Sequence, residues 1–181
     1  KNRANSKIAR DYSGSLYHVS VQPANRGWTM STDKFTPGGD KVWSRDFFNG
    51  RPETETFHVA SVTADANHVF TVANRRLNDE TGAVVGSYLV ALRGTNGNYD
   101  LNHPGDGEAF ASVAVSSNHL ALLSQNLATG VASVTFFQTG TWTNMGTVNL
   151  GVVASVVEVK LDVAGNAYVA ANNTNGTVQI S

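Results

Sequence analysis

The stretch Ser61-Val-Thr-Ala-Asp-Ala-Asn67-His-Val-Phe-Thr-Val72 reads as an apolar strand, a short polar turn and a second apolar strand. Alternating apolar residues on either side of an Asp/Asn turn are the pattern of a β-hairpin. The pattern returns in Ser112-Val-Ala-Val-Ser-Ser-Asn118-His-Leu-Ala-Leu-Leu123 and in Val159-Lys-Leu-Asp-Val-Ala-Gly-Asn166-Ala-Tyr-Val-Ala170. The turns end at Asn67, Asn118 and Asn166, 51 and 48 residues apart. A fourth copy lies upstream: Asp11-Tyr-Ser-Gly-Ser15 is its turn and Leu16-Tyr-His-Val-Ser-Val21 its second strand.

Outward from each hairpin the pattern predicts a third strand, over 28–35, 87–93, 131–138 and 177–181. Three of the units continue into a fourth strand, over 41–48, 98–101 and 142–150. Four antiparallel strands in each unit of ~50 residues is the period of a propeller blade. The expected fold is therefore all-β and β-propeller-like, with about four blade units of four antiparallel strands and the last unit incomplete. The units span approximately 6–50, 51–104, 105–151 and 152–181, within one propeller domain, or part of one, over 1–181. One such sheet leaves both faces wet; stacking on neighbours covers them. That accounts for the nearly continuous apolar runs Val69-Phe-Thr-Val72 and Leu120-Ala-Leu-Leu123. A stacked β-sandwich or a β-solenoid fits the same period. The missing last strand would leave a raw sheet edge. Further blades of the same protein, or other protein chains, are expected to complete the sheet.

Composition narrows the function. Net charge is −1 with Lys and Arg scattered, which argues against a nucleic-acid or anionic-membrane partner, because both need a basic patch. The longest apolar runs fall far short of a bilayer, so no membrane span is expected. Cysteine is absent, which excludes disulfides, thiolate metal sites and a cysteine nucleophile. The chain opens at Lys1 without a signal-peptide pattern, as a processed mature protein or a trimmed chain both would.

The segment Asp33-Lys-Phe-Thr-Pro-Gly-Gly-Asp-Lys-Val-Trp-Ser44 resembles the outer-strand turn of the bacterial β-propeller repeats called SBBP and, more distantly, of quinoprotein-type blades. Leu161-Asp-Val-Ala-Gly-Asn-Ala-Tyr-Val-Ala170 is similar to the inner-strand motif of the SBBP repeat. Unit three departs, with Thr139-Gly-Thr-Trp142 at the turn, and unit two has Tyr99 where Trp would stand. The resemblance implies an exported bacterial protein, secreted, periplasmic or at the cell surface. It implies structural or interaction roles, with no shared active site.

No catalytic, cofactor-binding or metal site is expected, and no cofactor. His68 and His119 occupy matching repeat positions, but equivalent residues of adjacent blades need not converge on a metal, and a hairpin-turn role is favoured. His103-Pro-Gly-Asp106-Gly-Glu108 lacks the ligand spacing of a calcium loop and reads as a solvated connection. Asp162 to Asn166 reads as an Asx-stabilised turn. Asp40 follows the glycines of its turn, unlike a sialidase-type repeat. Trp28, Trp43, Trp142, Tyr99, Phe47 and Phe48 would suit sugar stacking, although packing between blades is favoured. Asn172 and Asn175 head glycosylation sequons, relevant in a eukaryotic secreted protein. The leading reading is a non-enzymatic exported propeller module for structural assembly or protein interaction. Its variable connections would be 74–86 and 102–108. The alternatives are a carbohydrate-binding propeller with glycan partners, or a fragment of a larger propeller enzyme. Arg75, Arg76 and Asp79 would be the residues to watch in the last case.

Overall fold

The computed structural model describes residues 5–24, 27–47, 54–173 and 178–180, without the side chains of 23, 24, 27 and 178–180. The described residues contain no helix and fifteen strands. They form two compact units, 1–104 and 105–181.

The first unit holds two sheets. Sheet 1 runs in the order β1 (Ser6–Arg10), β2 (Leu16–Ala24), β3 (Gly27–Phe35), β4 (Lys41–Phe47). Sheet 2 runs β5 (Glu55–Ala64), β6 (His68–Leu77), β7 (Val84–Arg93), β8 (Tyr99–Gly105). The paired neighbours run antiparallel. Pleating sends alternate side chains to opposite faces. Tyr17, Val19, Val21 and Met30 leave one face of sheet 1 and meet Phe57, Val59, Val69, Ala73, Val90 and Leu92 from sheet 2. Each such large apolar side chain contributes roughly 1.5–3 kcal/mol by leaving water. Phe70, Thr71 and Val72 are buried beside Val69, in keeping with the apolar run of β6.

The second unit holds sheet 3, with β9 (Glu108–Ser116), β10 (His119–Asn126), β11 (Val131–Gln138) and β12 (Thr143–Val152) paired in sequence. Sheet 4 has β13 (Ser155–Leu161), β14 (Ala167–Asn172) and β15 (Val178–Ile180). Ala114, Ala121, Leu123 and Val134 of sheet 3 pack on Val159 and Val169 of sheet 4. The edge strand β12 is almost wholly exposed and carries register shifts and the positive-φ glycines Gly146 and Gly151. Such bulges blunt an edge against stray pairing.

Two expected connections are shorter than the sequence implies. The ladder continues through Arg76, so the link after β6 is 78–83 rather than 74–86. Strand β8 runs through Pro104, leaving only 106–107 before β9. Proline is tolerated there because β8 is an outer strand, where a missing N–H need not break the ladder. The hairpin turns also differ in length. Five residues separate the paired Arg10 and Leu16, as they do Leu161 and Ala167, but only two separate Ser116 and His119. In the two-residue turn Ser117, not Asn118, takes positive φ.

Candidate functional site

Asp11 opens the first hairpin turn. Its Oδ1 accepts hydrogen bonds from Ser13 Oγ at 2.7 Å and the Ser15 N–H at 2.9 Å, and its Oδ2 accepts from the Tyr17 hydroxyl at 3.1 Å. Gly14, at φ +88°, lets the chain close the turn. Burial works to raise the Asp11 pKa, but the donors from Ser13, Ser15 and Tyr17 outweigh it and hold the carboxyl below its ordinary value. The Tyr17 hydroxyl moves the other way, raised by burial and then by the neighbouring Asp11 charge.

The register places Tyr17, Lys34 and Trp43 in one row across β2, β3 and β4. Sheet 2 lays its 94–98 turn onto that row. Lys34 Nζ and Trp43 Nε1 both donate to the Gly94 carbonyl, at 2.7 and 3.0 Å. Arg45 Nε donates to the Gly97 carbonyl at 2.9 Å and its Nη2 to Asn98 Oδ1 at 3.0 Å. The fit leaves no room for side chains. A Cβ on Gly94 would lie 2.8 Å from the Tyr17 hydroxyl, and one on Gly97 2.9 Å from the Trp43 ring.

A second polar chain sits within sheet 2. His68 Nε2 lies 3.0 Å from Asp100, and its Nδ1 lies 3.7 Å from Asp65. Arg93 holds the other Asp100 oxygen at 2.7 Å. Asp65 first, and Asp100 after it, raise the His68 pKa against the opposing effect of burial.

In the second unit the plan of the first turn recurs, with an Asp that accepts a backbone N–H four residues on and a tyrosine hydroxyl six residues on. Asp162 Oδ1 accepts from the N–H groups of Ala164 and Asn166, both at 2.9 Å, and Oδ2 accepts from Asn166 Nδ2 at 2.8 Å and the Tyr168 hydroxyl at 3.3 Å. Gly165 has φ +87°. This is the Asx turn expected from the sequence. Tyr168 pairs with Lys160 while Val169 pairs with Val159. Tyr168 therefore lies on the face of sheet 4 turned away from sheet 3, where it is 50% exposed; Tyr17 is 0% exposed.

The other candidates fall as follows. Trp28, Trp43 and Phe47 pack against the core of the first unit. Tyr99 packs edge-on to Phe47 and donates its hydroxyl to the Asp46 carbonyl. Trp142 sits in a turn at φ +58°, so it is no counterpart of Trp43, which lies in a strand. Phe48 and Asn175 lie outside the described residues. Asn172 is in β14 and donates its side-chain amide to Ser155 Oγ at 2.9 Å. Asp40 is exposed in the turn before β4, its N–H bound to Thr36 Oγ1. His119 lies against Gly165, 3.2 Å from where a Cβ would stand. Arg75 pairs with Glu55 at 3.0 Å, whereas Asp79 caps its own turn through Thr81 and Gly82. Arg75 and Arg76 are consecutive in β6 and point to opposite faces, so these residues do not converge. No group of three or more His, Asp or Glu among the described residues is arranged to hold a metal ion. Sequence reasoning missed Tyr17, Lys34, Arg45, Arg93 and Asp100. A signal for Tyr17 was present: Asp-x-x-Gly-x-x-Tyr stands at 11–17 and again at 162–168.

Sheets of four strands joined as successive hairpins define a class, and the comparisons place the chain in it: the fold is that of a β-propeller. The chain is similar to the Dos1 propeller, at 10% identity and a TM-score of 0.63, over 99% of this chain and 45% of that one. It is similar to the computationally designed Ika4 protein, at 16% identity and a TM-score of 0.54, over 97% and 91% of the two chains. It also resembles the extracellular domain of BT4673 from B. thetaiotaomicron, at 11% identity and a TM-score of 0.50, over 98% of this chain and 22% of that one. The chain thus spans under half the length of the Dos1 propeller. No family model matches the sequence, and no curated protein matches it.

Proposed function

We propose that this chain is a non-enzymatic, exported propeller module of the SBBP-like kind that works by assembly, docking its blade faces against other polypeptide. One observation carries the reading. The turn at 162–168 repeats the turn at 11–17, yet Tyr17 is sealed under the 94–98 turn while Tyr168 stands half exposed. A surface of this kind suits a neighbouring sheet that brings its own glycine turn, supplied by a partner chain or by further blades.

The test is the mass of the protein from its natural source, native and denatured. A native mass that exceeds the denatured one, and falls when Tyr168→Lys is introduced, supports docking through this face. A denatured mass well above 19.2 kDa assigns the cover to further blades of the same polypeptide. A monomer at 19.2 kDa with Tyr168 open to solvent in the native state refutes the reading.

A further inference from the structure

The turn that seals Tyr17 has an uncovered counterpart in the same chain. The sealing turn joins β7 to β8: Gly97 takes φ +70° before Asn98, whose carbonyl accepts the Arg93 N–H at 2.9 Å. The turn from β3 to β4 follows the same plan, closing over 36–40 rather than 93–98. There Gly39 takes φ +95° before Asp40, whose carbonyl accepts the Thr36 N–H at 2.8 Å. Each of the two turns rests beside the hairpin turn of its own sheet. The Gly94 N–H donates to the Asn67 carbonyl at 2.6 Å, and Pro37 lies 3.4 Å from where a Cβ on Gly14 would stand. Their surroundings differ. Gly94 and Gly97 are buried against sheet 1, whereas 37–40 are exposed. A Cβ on Gly39 would meet nothing within 4 Å, and one on Gly38 only Thr36 and Asp40 of its own turn.

The face of sheet 1 turned away from sheet 2 is open as well. Leu16 pairs with Arg10 as Val69 pairs with Ala64, and Ile8 pairs with His18 as Val62 pairs with Thr71. Leu16 and Ile8 are therefore the counterparts of Val69 and Val62. Val69 is fully buried in the core shared with sheet 1, and Val62 packs against that core. Tyr17 and Val19 point towards sheet 2, so alternation turns Leu16 and Ile8 the other way. They are 38% and 68% exposed. Sheet 4 shows the reciprocal half, because Tyr168, the counterpart of Tyr17, is half exposed on the face away from sheet 3. One chain thus carries both halves of the contact that sheets 1 and 2 make. It has a tyrosine open to a covering turn, and a turn with an apolar face open to a tyrosine.

We propose that the polypeptide docked on Tyr168 is a second copy of this chain, which seats its 36–40 turn on Tyr168 and lays the face bearing Ile8 and Leu16 on sheet 4. This names the partner in the docking read above and rests on that reading. The contact is heterologous, sheet 1 of one copy on sheet 4 of the next, so it builds closed rings, or filaments where the rotation does not close.

Sedimentation equilibrium of the full chain measures the assembly, and p-benzoylphenylalanine in place of Tyr168 captures what lies on that position. The expected native mass is at least twice 19.2 kDa, with a photo-cross-link from position 168 to the 36–40 turn of another copy. Gly38→Leu should weaken association by about tenfold or more, because the added side chain has room in its own copy but none between the turn and a tyrosine. Ile8→Glu, at an exposed position, should weaken it too and tests the same face even where Gly38→Leu fails to fold. Association that falls with Tyr168→Lys but is untouched by Gly38→Leu and Ile8→Glu overturns the second copy and leaves the docking reading standing. A denatured mass well above 19.2 kDa for the protein from its natural source does the same, since further blades then supply the cover. A native mass of 19.2 kDa overturns both.

Discussion

The turns at 11–17 and 162–168 are the same object placed in two settings. Each has an Asp that collects backbone and side-chain donors, a glycine near φ +88° and a tyrosine hydroxyl bound to the Asp. The difference is what lies on the tyrosine. In sheet 1 the 94–98 turn covers it, pinned by Lys34, Trp43 and Arg45; in sheet 4 Tyr168 is half exposed. The local hydrogen bonds make the turn, and the covering turn makes it part of a core.

The comparison breaks most readily at the tyrosines. Tyr17→Ala removes a fully buried ring and should cost about 3–5 kcal/mol. Tyr168→Ala should cost less than about 1 kcal/mol in the isolated chain. Urea unfolding followed through Trp28 and Trp43 for the first mutant, and Trp142 for the second, measures both. Equal losses would mean that the cover adds nothing. The glycines sharpen the same point. Gly97→Ala brings a Cβ within 2.9 Å of Trp43 at φ +70°, and both effects destabilise, by about 1–3 kcal/mol. A double-mutant cycle with Trp43→Phe should recover part of that loss; no coupling would place the strain in the backbone alone.

His68 adds a pH dependence to the first unit. Its folded pKa is raised above the ordinary 6.5 by Asp65 and Asp100. Its contribution is therefore fully present below pH 6.5 and is lost as pH rises through the folded value. His68→Gln should flatten the stability curve of the first unit in that window, and an unchanged slope would assign the dependence elsewhere. The smallest expected effect is a gain. Ser117→Gly should stabilise sheet 3 by up to about 1 kcal/mol, because glycine occupies φ +50° without the cost of a Cβ. Thermal unfolding of the second unit reads it.

Much of this was legible along the chain. Strands β2, β3, β10, β11 and β14 follow from alternation, and the Asx turn at Asp162 from Asp, Gly and Asn at close spacing. The turn lengths were less so. Matching Asn67 to Ser15 hid a one-residue difference, since the place of Ser15, which closes its turn on the Asp11 N–H, is taken by His68, which closes on Asp65. The variable connections were overdrawn because polar residues such as Asn74, Arg75 and Arg76 looked like loop. In the fold they alternate along β6, with Arg75 compensated by Glu55.

The sequence alone determined the β class, the unit of ~50 residues and the local chemistry of each turn, because alternation and Asx turns are interactions of residues a few positions apart. Tertiary structure decided which copies of that chemistry are buried, and it gave Lys34, Trp43, Arg45 and Gly94 their roles. Their hydrogen bonds join residues 51 to 60 positions apart, about one repeat. A repeat shows that equivalent residues exist at that distance, but only the stacked sheets show which neighbour arrives.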